Sequence, residues 1–418
     1  MKQTTAVVIG AGARGNVYGD YALMHPEEIK IIGVAEPDAE RREKFVKLHA
    51  IKAQDIFEDW KQLLSKPRFA DAAIISTLDR MHYEPCLAAI EKGYNILLEK
   101  PISYEPLECQ KLQEAAARKG VLLEVCHVLR YAPFFSTIKN LLDRGTIGKL
   151  EAYEQTEHVG YWHYAHSYVR GNWRRSEETA PMLLAKCCHD IDLFVWMIGG
   201  HCKSVSSVGS LDHFNEKNAP EDAPARCLDG CPHSETCPYY APKLYLTDNV
   251  DWPTNVISVD MSLESRRKAL QEGPYGRCVY RCDNNVVDKQ MVQMQFDNGT
   301  IATLSMLAFT PHLTRTVRIV GTKGIIEGDL QDNALTLHLF GEKEPQRIDI
   351  DMLDTNGYGH GGGDALMLRD FALLNQNGGE GRTSVEQSME SHFICFAAEE
   401  SRRTGETIEM QKFMEKYK

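Results

Sequence analysis

Apolar residues recur along this chain in two rhythms. Up to about residue 128 they come as short solid runs: Thr5 to Ile9, Ile29 to Ala35, Asp71 to Thr77, Asn95 to Leu98 and Val121 to Cys126. Helix-spaced stretches separate them, at 16–24, 40–49, 82–92 and 104–119. Solid β-branched runs alternating with such helices predict a parallel, doubly wound α/β sheet. From about residue 150 the rhythm shortens to period two, as in Met291-Val292-Gln293-Met294-Gln295-Phe296, and Asp297-Asn298-Gly299 then supplies a hairpin turn. Extended segments are predicted at 150–158, 205–209, 255–263, 289–296, 300–307, 316–321, 324–329, 334–340 and 346–350. They form an antiparallel sheet with one covered face. Helix returns at 364–375 and 385–404. The reading is an α/β domain over residues 1–128 and an α+β domain over 129–418, with an irregular insertion at about 210–285.

The first strand runs straight into Gly10-Ala11-Gly12-Ala13-Arg14-Gly15 and then a helix. In that context G-x-G-x-x-G is a dinucleotide-binding fingerprint of the Rossmann type. Gly10 allows the tight turn, Gly12 lets backbone approach a pyrophosphate, and Gly15 lets helix and strand close up. Gly10, Gly12, Ala13, Arg14 and Gly15 are the expected phosphate contacts at the helix N-terminus. The second strand ends in Glu36, 21 residues beyond Gly15. An acid there accepts hydrogen bonds from a ribose and repels a 2′-phosphate, which favours NAD over NADP. Arg41 and Arg42 are read as a solvated helix face, with a 2′-phosphate partner as the alternative. Ligands of such sheets sit beyond the carboxyl ends of the strands, where Thr77, His82, Glu99 and Lys100 also fall.

Charge narrows the partners. Forty-seven Lys and Arg against 59 Asp and Glu leave a net charge of −12, which speaks against nucleic acid or an acidic membrane surface. No apolar run is long enough to span a bilayer. The N-terminus enters a strand without a signal-peptide pattern, so a cytoplasmic protein with mostly reduced cysteines is expected.

Glu99-Lys100-Pro101, at the end of its strand, resembles the glucose–fructose oxidoreductase/inositol dehydrogenase (Gfo/Idh/MocA) family. So do Thr77 to His82, Cys126 to Tyr131, Gly145 to Gly148, Gly171 to Arg174, His189-x-x-Asp192 and Ala397 to Ser401. The resemblance implies a Rossmann domain joined to a C-terminal domain with a large, mostly antiparallel open sheet, often used to build dimers or tetramers. It implies hydride transfer between a sugar or polyol carbon and nicotinamide. Lys100 would hydrogen-bond the reacting hydroxyl, His189 would take its proton, and Trp173 and Arg174 would cover the nicotinamide end. Related enzymes often carry an aspartate four residues before this histidine, where this chain has Ala185. Lys186 follows it, read either as a catalytic or substrate contact or as half of an ordinary ion pair.

The stretch from Glu157 to Arg170 is dense in histidine and aromatic residues. Aromatic faces pack on sugar C–H surfaces while His and Arg bond hydroxyls, so His163, His166 and Arg170 are predicted to wall a carbohydrate site. Tyr131 and His360 are further candidates, and Asp364 is placed as a helix N-cap. The function expected is an NAD-dependent dehydrogenase for a sugar, glycoside or cyclitol hydroxyl. A redox-assisted glycoside hydrolase or lyase on the same scaffold and a non-catalytic NAD(P)-binding regulator are the alternatives. In the insertion, Cys227-x3-Cys231-x-His233-x3-Cys237 is followed by Cys278-x3-Cys282. A structural zinc on Cys227, Cys231 and Cys237, with His233 or Cys282 as fourth ligand, is one reading. Free thiols, a disulfide and an iron–sulfur cluster are the others.

Overall fold

A computed structural model describes residues 3–352 and 359–417. The first sheet holds β1 (Thr4–Ile9), β2 (Ile29–Ala35), β3 (Ile56–Phe57), β4 (Ala72–Ile75), β5 (Asn95–Leu98) and β6 (Leu123–Val125), all parallel, in the order 3-2-1-4-5-6. Helices cover both faces, so a central strand such as β4 is buried at all four residues, which is why it reads as a solid apolar run. β3 is not anticipated above because two residues are too few to show a period. Strand order reverses between β1 and β4, and their carboxyl ends open the crevice where ligands of such sheets bind.

The second sheet is formed by β7 (Leu150–His158), β8 (Cys202–Ser210), β9 (Lys289–Phe296), β10 (Ile301–Leu307), β11 (Thr314–Gly321), β12 (Gly324–Asp329), β13 (Ala334–Leu339), β14 (Gln346–Asp349) and β15 (Ile408–Glu409). Its order is 14-13-12-11-7-10-9-8-15, antiparallel except where β7 and β10 run together. Along β9, Val292, Met294 and Phe296 point inward while Met291, Gln293 and Gln295 face outward. Helices Met182–Ile198 and Val385–Thr404 lie on the inner face. The second of these starts where Ser384 caps the amide of Gln387 and stops at Gly405 in the left-handed conformation.

The predicted strand at 255–263 is not formed. A single turn at Thr254–Val256 leads to the helix Leu263–Glu272, started by the Ser262 side chain. Serine at that position, with the acid of Glu264 in the first turn, outweighs the weak alternation. This helix belongs to an irregular lobe between β8 and β9. Its own small core is Cys227, Ala241, Tyr245, Leu270 and Tyr275. Among the described residues no helix is long and apolar enough to cross a membrane.

Candidate active site

The glycine loop shows why each glycine is there. Gly10 has φ +93°, and a Cβ on it would lie 2.9 Å from the Ser76 carbonyl oxygen. A Cβ on Gly15 would sit 2.2 Å from the Gly10 oxygen, whereas one on Gly12 would meet nothing within 4 Å. The loop is thus tight against the sheet and open on the side a pyrophosphate would approach. The helix Ala13–Met24 begins without a side-chain cap, leaving its first amides available to an anion. Glu36 is buried at the end of β2, its carboxylate accepting from the amides of Ala11 (2.7 Å) and Asp38 (3.0 Å). Arg42 donates to the Glu36 carbonyl at 2.6 Å and pairs with Glu58, the behaviour of a helix-face arginine.

The Arg14 side chain turns its charge onto the protein. Its guanidinium pairs with Glu99 and Asp364, each at 2.6 Å, and donates to the Tyr18 hydroxyl. It ties the first helix, the end of β5 and the C-terminal helix Gly363–Asn377 together. Burial pushes the Glu99 carboxyl up, but Arg14 and Lys100 outweigh it and hold the group below its usual range. Asp364 is no N-cap, since Gly362 occupies that position. The Asp364 carboxylate instead binds Arg14 and, at 2.9 Å, the His360 ring.

Lys100 and His189 come from the two halves of the chain and meet at the seam between them. The Lys100–Pro101 peptide is cis, and the Lys100 ammonium donates to the Ala185 carbonyl at 2.6 Å. Ala185 lies one turn before His189 on the helix Met182–Ile198, on the same face. His189 is 5% exposed and its Nδ1 is buried with no hydrogen-bond partner. Burial first, then the charge of Lys100, then the rings of His360 and His127 and the guanidinium of Arg315 hold its pKa well below the ordinary range. The His360 ring stands 5.7 Å from it and the His127 ring 5.9 Å. His127 was not singled out from the sequence. It adjoins β6, a strand end of the kind that already pointed to Thr77 and Glu99.

Lys186 is 3.2 Å from Glu157, whose other oxygen is 2.7 Å from Arg315; Arg315 also bonds Asp190 at 2.8 Å. The ion-pair reading of Lys186 therefore describes its contacts, and its charge reaches the His163 ring. His82 is buried, with Nδ1 2.7 Å from the Pro101 carbonyl and Nε2 3.1 Å from that of Thr77. It braces the loop between Thr77 and Pro101. The Thr77 hydroxyl in turn donates to the Met81 carbonyl. The Trp173 indole donates to both oxygens of Asp79 at 3.1 Å, so its loop is latched onto the first domain. Asp79 lies between Thr77 and His82, and only folding brings Trp173 to it. Arg174 turns away, to Asp283 (2.9 Å) and Glu178 (3.1 Å).

The aromatic wall divides. His163 keeps Nδ1 on the Val159 carbonyl and packs against Trp252 at the Lys186 end. His166 is bonded to the Tyr245 hydroxyl and stacked on Tyr275, while Arg170, 1% exposed, donates to the carbonyls of Arg277 and Tyr239. Both are buried under the irregular lobe, which the sequence does not reveal because their partners lie roughly 70 to 110 residues away. Tyr131 donates to Asp370 and lines a separate surface cavity of about 440 Å³, which neither Lys100 nor His189 lines. In the lobe, Cys227, Cys231, Cys237, His233 and Cys278 line one cavity of about 140 Å³. The expected fourth ligands fare differently: His233 Nε2 is bonded to Asp222 at 2.7 Å, and Cys282 does not line the cavity. Cys278 is the additional thiol.

A doubly wound nucleotide-binding sheet, joined through a lysine–histidine meeting point to a domain built on one open sheet, is the architecture of a two-domain oxidoreductase. The chain belongs to the Gfo/Idh/MocA family: residues 4–127 match the oxidoreductase-family NAD-binding Rossmann fold, and residues 139–410 match the family's C-terminal alpha/beta domain. It is 23% identical over 367 residues to the putative oxidoreductase YteT of Bacillus subtilis (strain 168), covering 82% of each chain. Over 193 residues it is 28% identical to scyllo-inositol 2-dehydrogenase (NADP(+)) IolW of the same organism, 46% of this chain and 51% of that one. Levoglucosan dehydrogenase, solved with NADH and levoglucosan, superposes with a TM-score of 0.74 at 18% identity, over 98% of this chain and all of that one.

Proposed function

We propose that this oxidoreductase is an NAD-dependent dehydrogenase that oxidises a secondary hydroxyl of a sugar, glycoside or cyclitol. The observation that carries it is the Lys100 ammonium on the Ala185 carbonyl, one helical turn from a buried His189 whose Nδ1 has no partner. Bound nicotinamide supplies the hydride acceptor. Lys100 donates to the reacting oxygen and steadies the alkoxide character it gains. His189, neutral near pH 7, takes the hydroxyl proton. Lys186, paired with Glu157 and close enough for its charge to reach His163, is a second cation for substrate oxygens, and His360 borders His189. Relatives named for inositol and levoglucosan dehydrogenation support a hydroxylated substrate. Glu36 at the end of β2 supports NAD, even though one relative is named for NADP(+).

The test is NADH absorbance across sugars, uronates, cyclitols and glycosides. One class is expected to yield NADH, and Lys100→Ala to lower kcat by roughly 10²–10³-fold, the usual effect of removing one oxyanion donor. Aglycone release without net NADH would identify a redox-neutral glycosidase, and cofactor binding with no turnover a regulator. An unchanged kcat in Lys100→Ala would sink the assignment of this pair.

A further inference from the structure

The irregular lobe has only a small core of its own, although Phe214, Val279, Val286 and Val287 anchor its ends in the main one. Between β8 and β9 it runs for more than seventy residues. Its separate apolar cluster has five buried members, and one of those is Cys227. A segment so poor in buried area needs a cross-link or a metal to hold one shape. The chain brings thiols to the place where such a group would sit. Cys227 and Cys278 are joined by a two-stranded bridge, the Cys227 amide donating to the Gly276 carbonyl (2.9 Å) and the Cys278 amide to that of Ala225 (2.8 Å). Cys231 and Cys237, each followed by proline, complete a ring of four cysteines around the 140 Å³ cavity.

The sulfurs of the ring are not gathered as closely as a single zinc ion would need. With Zn–S bonds of 2.3 Å, the thiolates of a tetrahedral zinc lie roughly 4 Å from one another. Among the described residues no three of these sulfurs lie within 4.8 Å of each other. Thiolates on a cubane cluster sit at the corners of a larger body than a single ion, and four cysteines line this one cavity of about 140 Å³. The polar surroundings fit a thiolate ligand as well. Cys227 Sγ receives the Ala241 amide at 3.4 Å and the Arg170 guanidinium at 3.7 Å. N–H donors aimed at sulfur, one of them cationic, offset the negative charge of a thiolate-bound cluster.

We propose that Cys227, Cys231, Cys237 and Cys278 ligate a [4Fe–4S] cluster that staples the lobe over the His163–Arg170 segment. The four thiols release their protons to solvent on ligation, and no redox step is required of the cluster. Arg170, donating at once to Cys227 Sγ and to the Arg277 and Tyr239 carbonyls, ties the ring to the His163–Arg170 segment.

The test uses the full-length protein purified without oxygen and, in parallel, reconstituted with iron and sulfide. About four iron and four sulfide per chain are expected, with a broad visible absorption bleached by dithionite. Cys278→Ser and Cys237→Ser should each lose most of that iron, while Cys282→Ser, outside the ring, retains it. Removing the iron from the wild-type protein should raise hydrogen exchange in residues 211–288 and leave the first sheet protected. One zinc per chain with no sulfide, or a folded protein that takes up no iron on reconstitution, would overturn the proposal.

Discussion

Arg14 shows how a side chain's partners can lie far from its neighbours in sequence. It lies in the phosphate loop, yet its charge is committed to Glu99 and Asp364, two carboxylates with side chains only 7% and 2% exposed. Removing the guanidinium takes the shared cation from both buried carboxylates and leaves Glu99 to Lys100 and Asp364 to His360; breaking a buried pair typically costs about 3–5 kcal/mol. Arg14→Ala is therefore expected to lower the stability of the cofactor-free protein by that amount in urea denaturation. A residue that only touched cofactor would leave the cofactor-free protein unchanged. Cys227 has the same lesson in the lobe: its thiol is one of many in the sequence, and only Ala241 and Arg170 converging on it mark it out.

At the scale of elements, the helix Met182–Ile198 carries the chemistry. It shows the Ala185 carbonyl to Lys100 and, one turn later, His189 to the same seam. Because Lys100 stands second only to burial among the causes of the depressed His189 pKa, Lys100→Met should let the imidazole titrate at higher pH. NMR of the histidine ring would follow it, and an unmoved titration would mean that the two groups are not electrically coupled. The lobe element adds a prediction about its own seal. His166 is held to a pKa of about 3 by burial and by Arg170, under Tyr245 and Tyr275.

For the whole molecule, that histidine is one of several. His392, fixed between the Ile102 amide and the Ser388 carbonyl, also sits at about 3, and His127, His163 and His189 are all lowered, by burial first. Folded-state values below the unfolded 6.5 mean that the unfolded chain takes up protons first as pH falls. The stability is intact above about pH 6.5 and drains away as pH drops toward 3. Denaturant midpoints measured between pH 7.5 and 4.5 should fall steeply, and a flat profile would contradict the buried, neutral assignment. The outer face of the second sheet leaves Val208, Met291 and Ile301 exposed, with Val208 and Met291 paired across β8 and β9. We propose that a second copy of the chain covers this face. Light scattering should then report a dimer or tetramer for the wild type and a smaller species for Met291→Lys.

The alternation of solid runs and helices, and then the switch to period two, was enough to read both sheets, since burial on two faces or on one writes itself directly into residue order. The glycine loop, Glu36 and the lysine before Pro101 were legible as motifs for a similar reason, since a turn or a strand end marks each in residue order, although the carbonyl that Lys100 meets is 85 residues away. Ion pairs and hydrogen bonds across long sequence distance were not. Arg14 with Asp364, Trp173 with Asp79, Lys186 with Glu157 and Arg170 with the cysteine segments each join residues whose separation carries no periodic signal. Tertiary structure alone decided which charges were spent on holding the fold and which sides of the molecule His189 and the thiols would face, because desolvation and charge pairing depend on what packs nearby, not on what comes next in the chain.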